Sequence, residues 1–150
     1  MTQVATPFAG SFALSKTFID ANLAGMSPDQ ARLSAGDGGS TAQWVLGHLV
    51  YWRSQVVGML GGTPLWGEGE HEEFRGVERA DLSGAPGRTF SELQSDLAQV
   101  TRRLDAAFEG AEPSGDLIGT LQFLAAHEAY HAGQLGVFRR LAGLPGAIGK

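Results

Sequence analysis

The sequence predicts an all-α protein, a four-helix bundle in which one long connection crosses over so that the second and third helices run parallel. Three observations carry this. Four stretches repeat apolar residues at helical spacing, none alternates as a strand would, and the long break from Gly61 to Arg88 falls between the second and the third.

From about Pro7 to Leu23, the residues Phe8, Phe12, Ile19 and Leu23 share one helical face, with Ser11, Lys16 and Asp20 turned to water. Gly25 supplies a stop. Ser27-Pro28-Asp29-Gln30 restarts a short turn, with Ser27 as cap, Pro28 at the first helical position and Gln30 closing a capping box; glycines at Gly36 and Gly39 break it. Ser40 and Gln43 form a second box. The run that follows to Leu60 is apolar on nearly every side, which predicts a buried helix packed on several neighbours, with His48 one turn from both Trp44 and Trp52.

Gly61 to Arg88 has no sustained period and carries Glu68, Glu70, Glu72 and Glu73 around His71, a histidine read as solvated among carboxylates. Thr89 and Glu92 form a third box, and Leu93, Leu97, Val100, Leu104 and Phe108 then repeat at helical spacing. Pro113 and Gly115 separate that helix from the last one, Leu117 to Ala142, which Gly143 and Pro145 end. Ala125, Ala126, Ala129, Ala132, Gly133 and Gly136 give the last helix a slim surface for close approach.

A chain of 150 residues is long enough for one domain with a real core. With 11 basic and 16 acidic residues its net charge is -5, so neither the nucleic-acid backbone nor anionic lipid is an expected partner. The absence of cysteine excludes disulfides, a thiolate nucleophile and thiolate ligands, leaving nitrogen and oxygen for any metal chemistry. No signal-peptide pattern opens the sequence and no apolar run approaches the roughly 20 residues of a membrane span, so a soluble, cytoplasmic protein is expected.

The chemistry concentrates in His127-Glu128-Ala129-Tyr130-His131. Two histidines four apart on a helix differ by about 40° in azimuth and about 6 Å along the axis, so both imidazoles can address one ion. The five residues match the H-E-x-x-H zinc protease pattern, yet no His, Asp, Glu or Cys follows Ala132 to supply its third ligand. The third ligand must lie upstream, and His48, in mid-helix on the most buried segment, is the best candidate. Three protein nitrogens would leave positions open for water or substrate.

Glu128 lies beside this pair and is a candidate base, outer partner of the site or surface acid. Tyr130 diverges from the two histidines and reads as core or interface packing. Trp44 and Trp52 supply core volume or the walls of an apolar pocket beside the ion.

Together, Trp44-Val45-Leu46-Gly47-His48-Leu49, the run His127 to Leu135 and the closing Arg139-Arg140-Leu141-Ala142-Gly143-Leu144-Pro145 resemble the DinB/YfiT-like superfamily, over nearly the whole chain. The resemblance implies an up-down-down-up bundle, often a homodimer, with a divalent metal such as nickel or zinc on His48, His127 and His131. It also implies a small-molecule substrate, since the family includes transferases and isomerases that use low-molecular-weight thiols (bacillithiol, mycothiol, glutathione) and members described only as metal-dependent hydrolases.

The leading expectation is therefore a metal-dependent enzyme that activates a bound water or low-molecular-weight thiol, as hydrolase or S-transferase. The alternative is a bundle that binds metal or a small ligand without turnover. A bare structural bundle is a third reading.

Overall fold

Side-chain caps set where most of the helices begin. In the computed structural model, which describes residues 1–34, 36, 39–76 and 87–148, α1 spans Ala5–Leu23, α2 Pro28–Ala31, α3 Ala42–Met59, α4 Phe90–Glu109 and α5 Asp116–Leu141, with a 3-10 turn at Glu72–Phe74. Among the described residues there is no strand; the one extended pairing is an isolated bridge between Ser34 and Thr41. The capping boxes expected at Ser27 and Thr89 both form, each with reciprocal bonds to the residue three on.

The box at Ser40 does not form. Thr41 is the cap, accepting from the Trp44 N–H at 3.1 Å, and the Gln43 amide donates to the Arg88 carbonyl at 3.0 Å. Gln43 thus ties the starts of α3 and α4 together and cannot close a box on Ser40. One consequence is visible: Ser40 Oγ and Gln43 Oε1 are buried without a hydrogen-bond partner.

Contacts at the helix ends fix the directions. Thr2 Oγ1 donates to the Ala111 carbonyl at 3.2 Å at one end, and Asn22 Nδ2 to the Ala132 carbonyl at 2.9 Å toward the other, so α1 and α5 run parallel. The Gln43 bond joins the starts of α3 and α4, and Arg103 near the end of α4 donates to the Pro64 carbonyl just beyond α3 at 2.8 Å. Those two helices are parallel as well. Phe12 in the first half of α1 meets Phe108 at the end of α4, ring centroids 5.9 Å apart, which makes the two pairs opposite in sense. The bundle is up-down-down-up, with the crossover between α3 and α4 as expected.

Inside it, Phe12, Ile19, Leu46, Leu49, Leu93, Leu104, Leu121 and Leu135 are buried, and each such side chain contributes about 1.5 to 3 kcal/mol. The expected face of α4 is buried at every position from Leu93 to Phe108. Charged side chains are buried as well, and one ion pair lies among these residues. Arg53, on α3, is 2% exposed and donates to Glu128 Oε1 on α5 at 2.5 Å, to the Phe12 carbonyl on α1 at 2.8 Å and to Thr101 Oγ1 on α4 at 3.0 Å. A single guanidinium therefore touches all four long helices. No helix of the described residues is long and apolar enough to cross a membrane.

The link after α3 is a crossover with a function in packing. Its described part folds back along α3, and residues 77–86 lie outside the described residues. His71, expected to be solvated, is instead half-buried with its ring 4.5 Å from that of Trp66, because the link lays its aromatic residues on the bundle.

Candidate metal centre

The site begins with a periodicity on α3. Trp44, His48 and Trp52 are four residues apart and so share one face of the helix. Each donates a ring N–H to the crossover: Trp44 Nε1 to the Glu73 carbonyl at 3.0 Å, His48 Nδ1 to Phe74 at 2.6 Å and Trp52 Nε1 to Arg75 at 3.0 Å. Three successive turns of helix hold three consecutive carbonyls. Gly47 makes the approach possible, since a Cβ there would stand 2.2 Å from the Phe74 ring. Ser54 adds a further tie, accepting from the Trp66 N–H at 2.9 Å.

A carbonyl oxygen only accepts, so the proton of His48 sits on Nδ1 and its Nε2 presents a lone pair. That lone pair is aimed across the bundle. His48 Nε2 lies 3.1 Å from His127 Nε2, which lies 3.1 Å from His131 Nε2. His131 also has its Nδ1 engaged from outside, 2.9 Å from Gln134 Oε1. The ligand atoms of all three residues fall within 4.8 Å of one another.

These distances fit a shared cation. Nitrogens about 2.0 to 2.1 Å from one tetrahedral ion stand roughly 3.3 Å from each other. With the outward nitrogens of His48 and His131 serving as donors, at most one Nε2 can carry a proton, so at least two lone pairs converge on a point that a cation can share. A proton alone is disfavoured. Burial, together with the charges of His131 and His127 when protonated, lowers the His48 pKa to about 4 although its bond to Phe74 acts upward. Burial lowers His127 and His131 as well, the latter against its bond to Gln134.

The surroundings are aromatic. Trp44 stacks on His48 with centroids 4.8 Å apart, and Trp52 meets His48 and His127 edge-on at 6.4 and 6.1 Å. Both indoles expected as walls are therefore at the site. Glu128 is not brought to it. Its carboxylate is 4% exposed and accepts two bonds from Arg53, on the flank of α5 that faces the bundle axis. Burial pushes the Glu128 carboxyl above the usual range, and the Arg53 guanidinium opposes that shift. Tyr130, expected in packing, is 68% exposed with its ring edge-on to His131 at 5.0 Å, so it is no core residue. A groove of about 560 Å³ between the ends of α3 and α4, lined by Val57, Leu60, Arg103 and Ala107 among others, shares no residue with the histidines.

Three participants escaped sequence reasoning: the Phe74 carbonyl, Gln134 and Arg53. Gln134 follows His131 by three residues on one helix, a spacing that signals a partner. Nothing local signals the other two.

With this geometry in place, the comparison with known families is decisive. The family model described as DinB superfamily matches residues 18–135, which include all three histidines and most of the bundle. The chain belongs to the DinB superfamily. No curated protein and no solved structure gives a match to it. Within this DinB-superfamily chain the matched region also contains Trp44, Arg53, Phe74 and Glu128, so the crossover contacts and the buried ion pair lie inside the family's own domain.

Proposed function

We propose that this DinB-superfamily protein holds one divalent cation, nickel or zinc, on His48, His127 and His131 and works as a metal-dependent enzyme on a small molecule. The observation that carries the reading is the convergence of three imidazole Nε2 atoms about 3 Å apart, with the outward nitrogens of His48 and His131 engaged so that both turn a lone pair inward. Neutral imidazole suits nickel and zinc alike. Bound there, such an ion supplies the Lewis acidity that lowers the pKa of a coordinating water or low-molecular-weight thiol, which supports S-transfer to an electrophile or hydrolysis.

The chain's own residues do the rest. Phe74 and Gln134 fix the imidazole orientations, Trp44 and Trp52 keep bulk water from the buried side, and the Arg53–Glu128 pair holds α5 against α3. We also include the homodimer in this reading. It is supported by Val137 and Leu141, exposed apolar side chains of α5 beyond the triad.

Conversion of an electrophilic substrate by metal-loaded protein, with and without a low-molecular-weight thiol, tests the activity. Turnover that vanishes in His48→Ala and His131→Ala supports the reading; turnover unchanged in both removes it. A second reading, binding without turnover, is favoured by the commitment of Glu128 to Arg53, which leaves no carboxylate among the described residues grouped with the triad as a base. Metal at one ion per chain with no turnover would establish it.

A further inference from the structure

The open side of the triad is bordered by large aromatic rings that the bundle does not bury. Phe123, one turn before His127, is 67% exposed and stacks on the His127 ring at 5.9 Å, with 25° between the planes. Tyr130 is 68% exposed and stands edge-on to His131, while Trp52 closes the third side edge-on to His127. His48 is buried at the bottom; His127 and His131 are half-buried, so access runs between these rings. Exposed aromatic residues that cluster around a reactive centre are unlike apolar residues scattered singly, and they mark contact with a ligand.

Charge narrows the ligand further. The α5 side of the lip has no charge, since Glu128 faces Arg53, and on the crossover side Arg75 and Glu72 pair with each other at 3.7 Å. A cationic ligand, which aromatic rings would otherwise suit, is repelled by the divalent ion next to them.

We propose that the site takes a ligand in which the donor atom for the metal is carried on a planar apolar group without a cationic charge, seated against Phe123, Tyr130 and Trp52. This rests on the metal reading of the same three histidines and assigns the substrate class: aromatic or similarly flat molecules in preference to small aliphatic ones. Phe123 and Tyr130 are its specificity-determining residues.

Titration calorimetry of zinc-loaded protein with benzohydroxamate and with acetohydroxamate tests it, because the two probes share the chelating group and differ in the ring. The expected result is at least about tenfold tighter binding of benzohydroxamate, the scale of one good aromatic contact. Phe123→Ala and Tyr130→Ala should each lower that ratio, and the double variant should bring it close to one with zinc content unchanged. Both side chains are two-thirds exposed, so their truncation leaves the core intact. Equal binding of the two probes by the parent protein overturns the proposal, as does a ratio that both variants preserve. Variants that alter sedimentation but not the ratio assign the rings to protein contact and overturn it too. A parent protein that retains no zinc instead defeats the metal reading beneath it.

Discussion

At the scale of residues, protonation is the simplest probe of the triad. The folded pKa of His48 lies near 4, below the ordinary 6.5, so as pH falls the unfolded chain takes up its proton first. Stability of the metal-free protein is therefore full above about 6.5 and is lost as pH falls toward 4, by an amount on the order of 3 kcal/mol for a shift of this size. Urea denaturation across that range should show the loss, and His48→Gln should flatten it; a parent curve already flat would contradict the burial argument. Metal binding should weaken over the same range, since protons compete for the imidazoles. Glu128 tests a different point. Removing it in Glu128→Ala leaves Arg53 charged, buried and unpaired, which costs about 3 to 5 kcal/mol. Denaturation measures that cost, and a loss below 1 kcal/mol would mean that Arg53 has other partners enough. The pair His127 and His131 was legible because helical spacing alone brings the two rings together. Arg53 was not legible as the partner of Glu128, because 75 positions separate them and only the bundle joins the two.

At the scale of elements, the crossover and α3 act as one unit. The sequence shows the link only as a stretch without period, yet Glu73, Phe74 and Arg75 accept from three rings spaced along the helix. Such pairing is invisible beforehand because backbone carbonyls carry no side-chain signature. Trp52→Phe keeps a ring and removes the donor to the Arg75 carbonyl, the neighbour of Phe74, so zinc affinity should fall, by less than the roughly tenfold that loss of a ligating histidine's own partner costs. Gly47→Ala places a methyl against the Phe74 ring, and overpacking of that kind costs about 1 to 3 kcal/mol as well as displacing the carbonyl that orients His48. Competition titration with a chelating dye reads the affinity in both; unchanged affinity in both would separate the crossover from the metal site. Ser27 and Thr89 were found from sequence because a box is local, whereas Ser40 and Thr41 are both competent caps and the tie from Gln43 to Arg88 decided between them.

At the scale of the whole molecule, the topology puts the site where it is. A crossover between two parallel helices lets α3 and α5 face each other in opposite senses, which brings His48 level with His127 and His131 although 79 positions separate His48 from His127. The bundle class was readable from four apolar periodicities and one long gap, while the exposed aromatic lip was not, because an apolar residue in a helix reads as core until its neighbours are placed. Binding that depends on the folded arrangement must stabilise it: at a free zinc concentration one hundred times Kd, the gain is about 2.7 kcal/mol. Thermal denaturation with and without zinc should show that gain in the parent and lose it in His131→Ala.

The most direct measurement is elemental analysis of the dialysed protein beside its His48→Ala, His127→Ala and His131→Ala variants. Three imidazoles sharing one cation predict about one divalent ion per chain in the parent and a large loss in each variant. A parent without metal even after loading, or a His48→Ala variant that keeps its full complement, would contradict the convergence of α3 and α5 on a single ion.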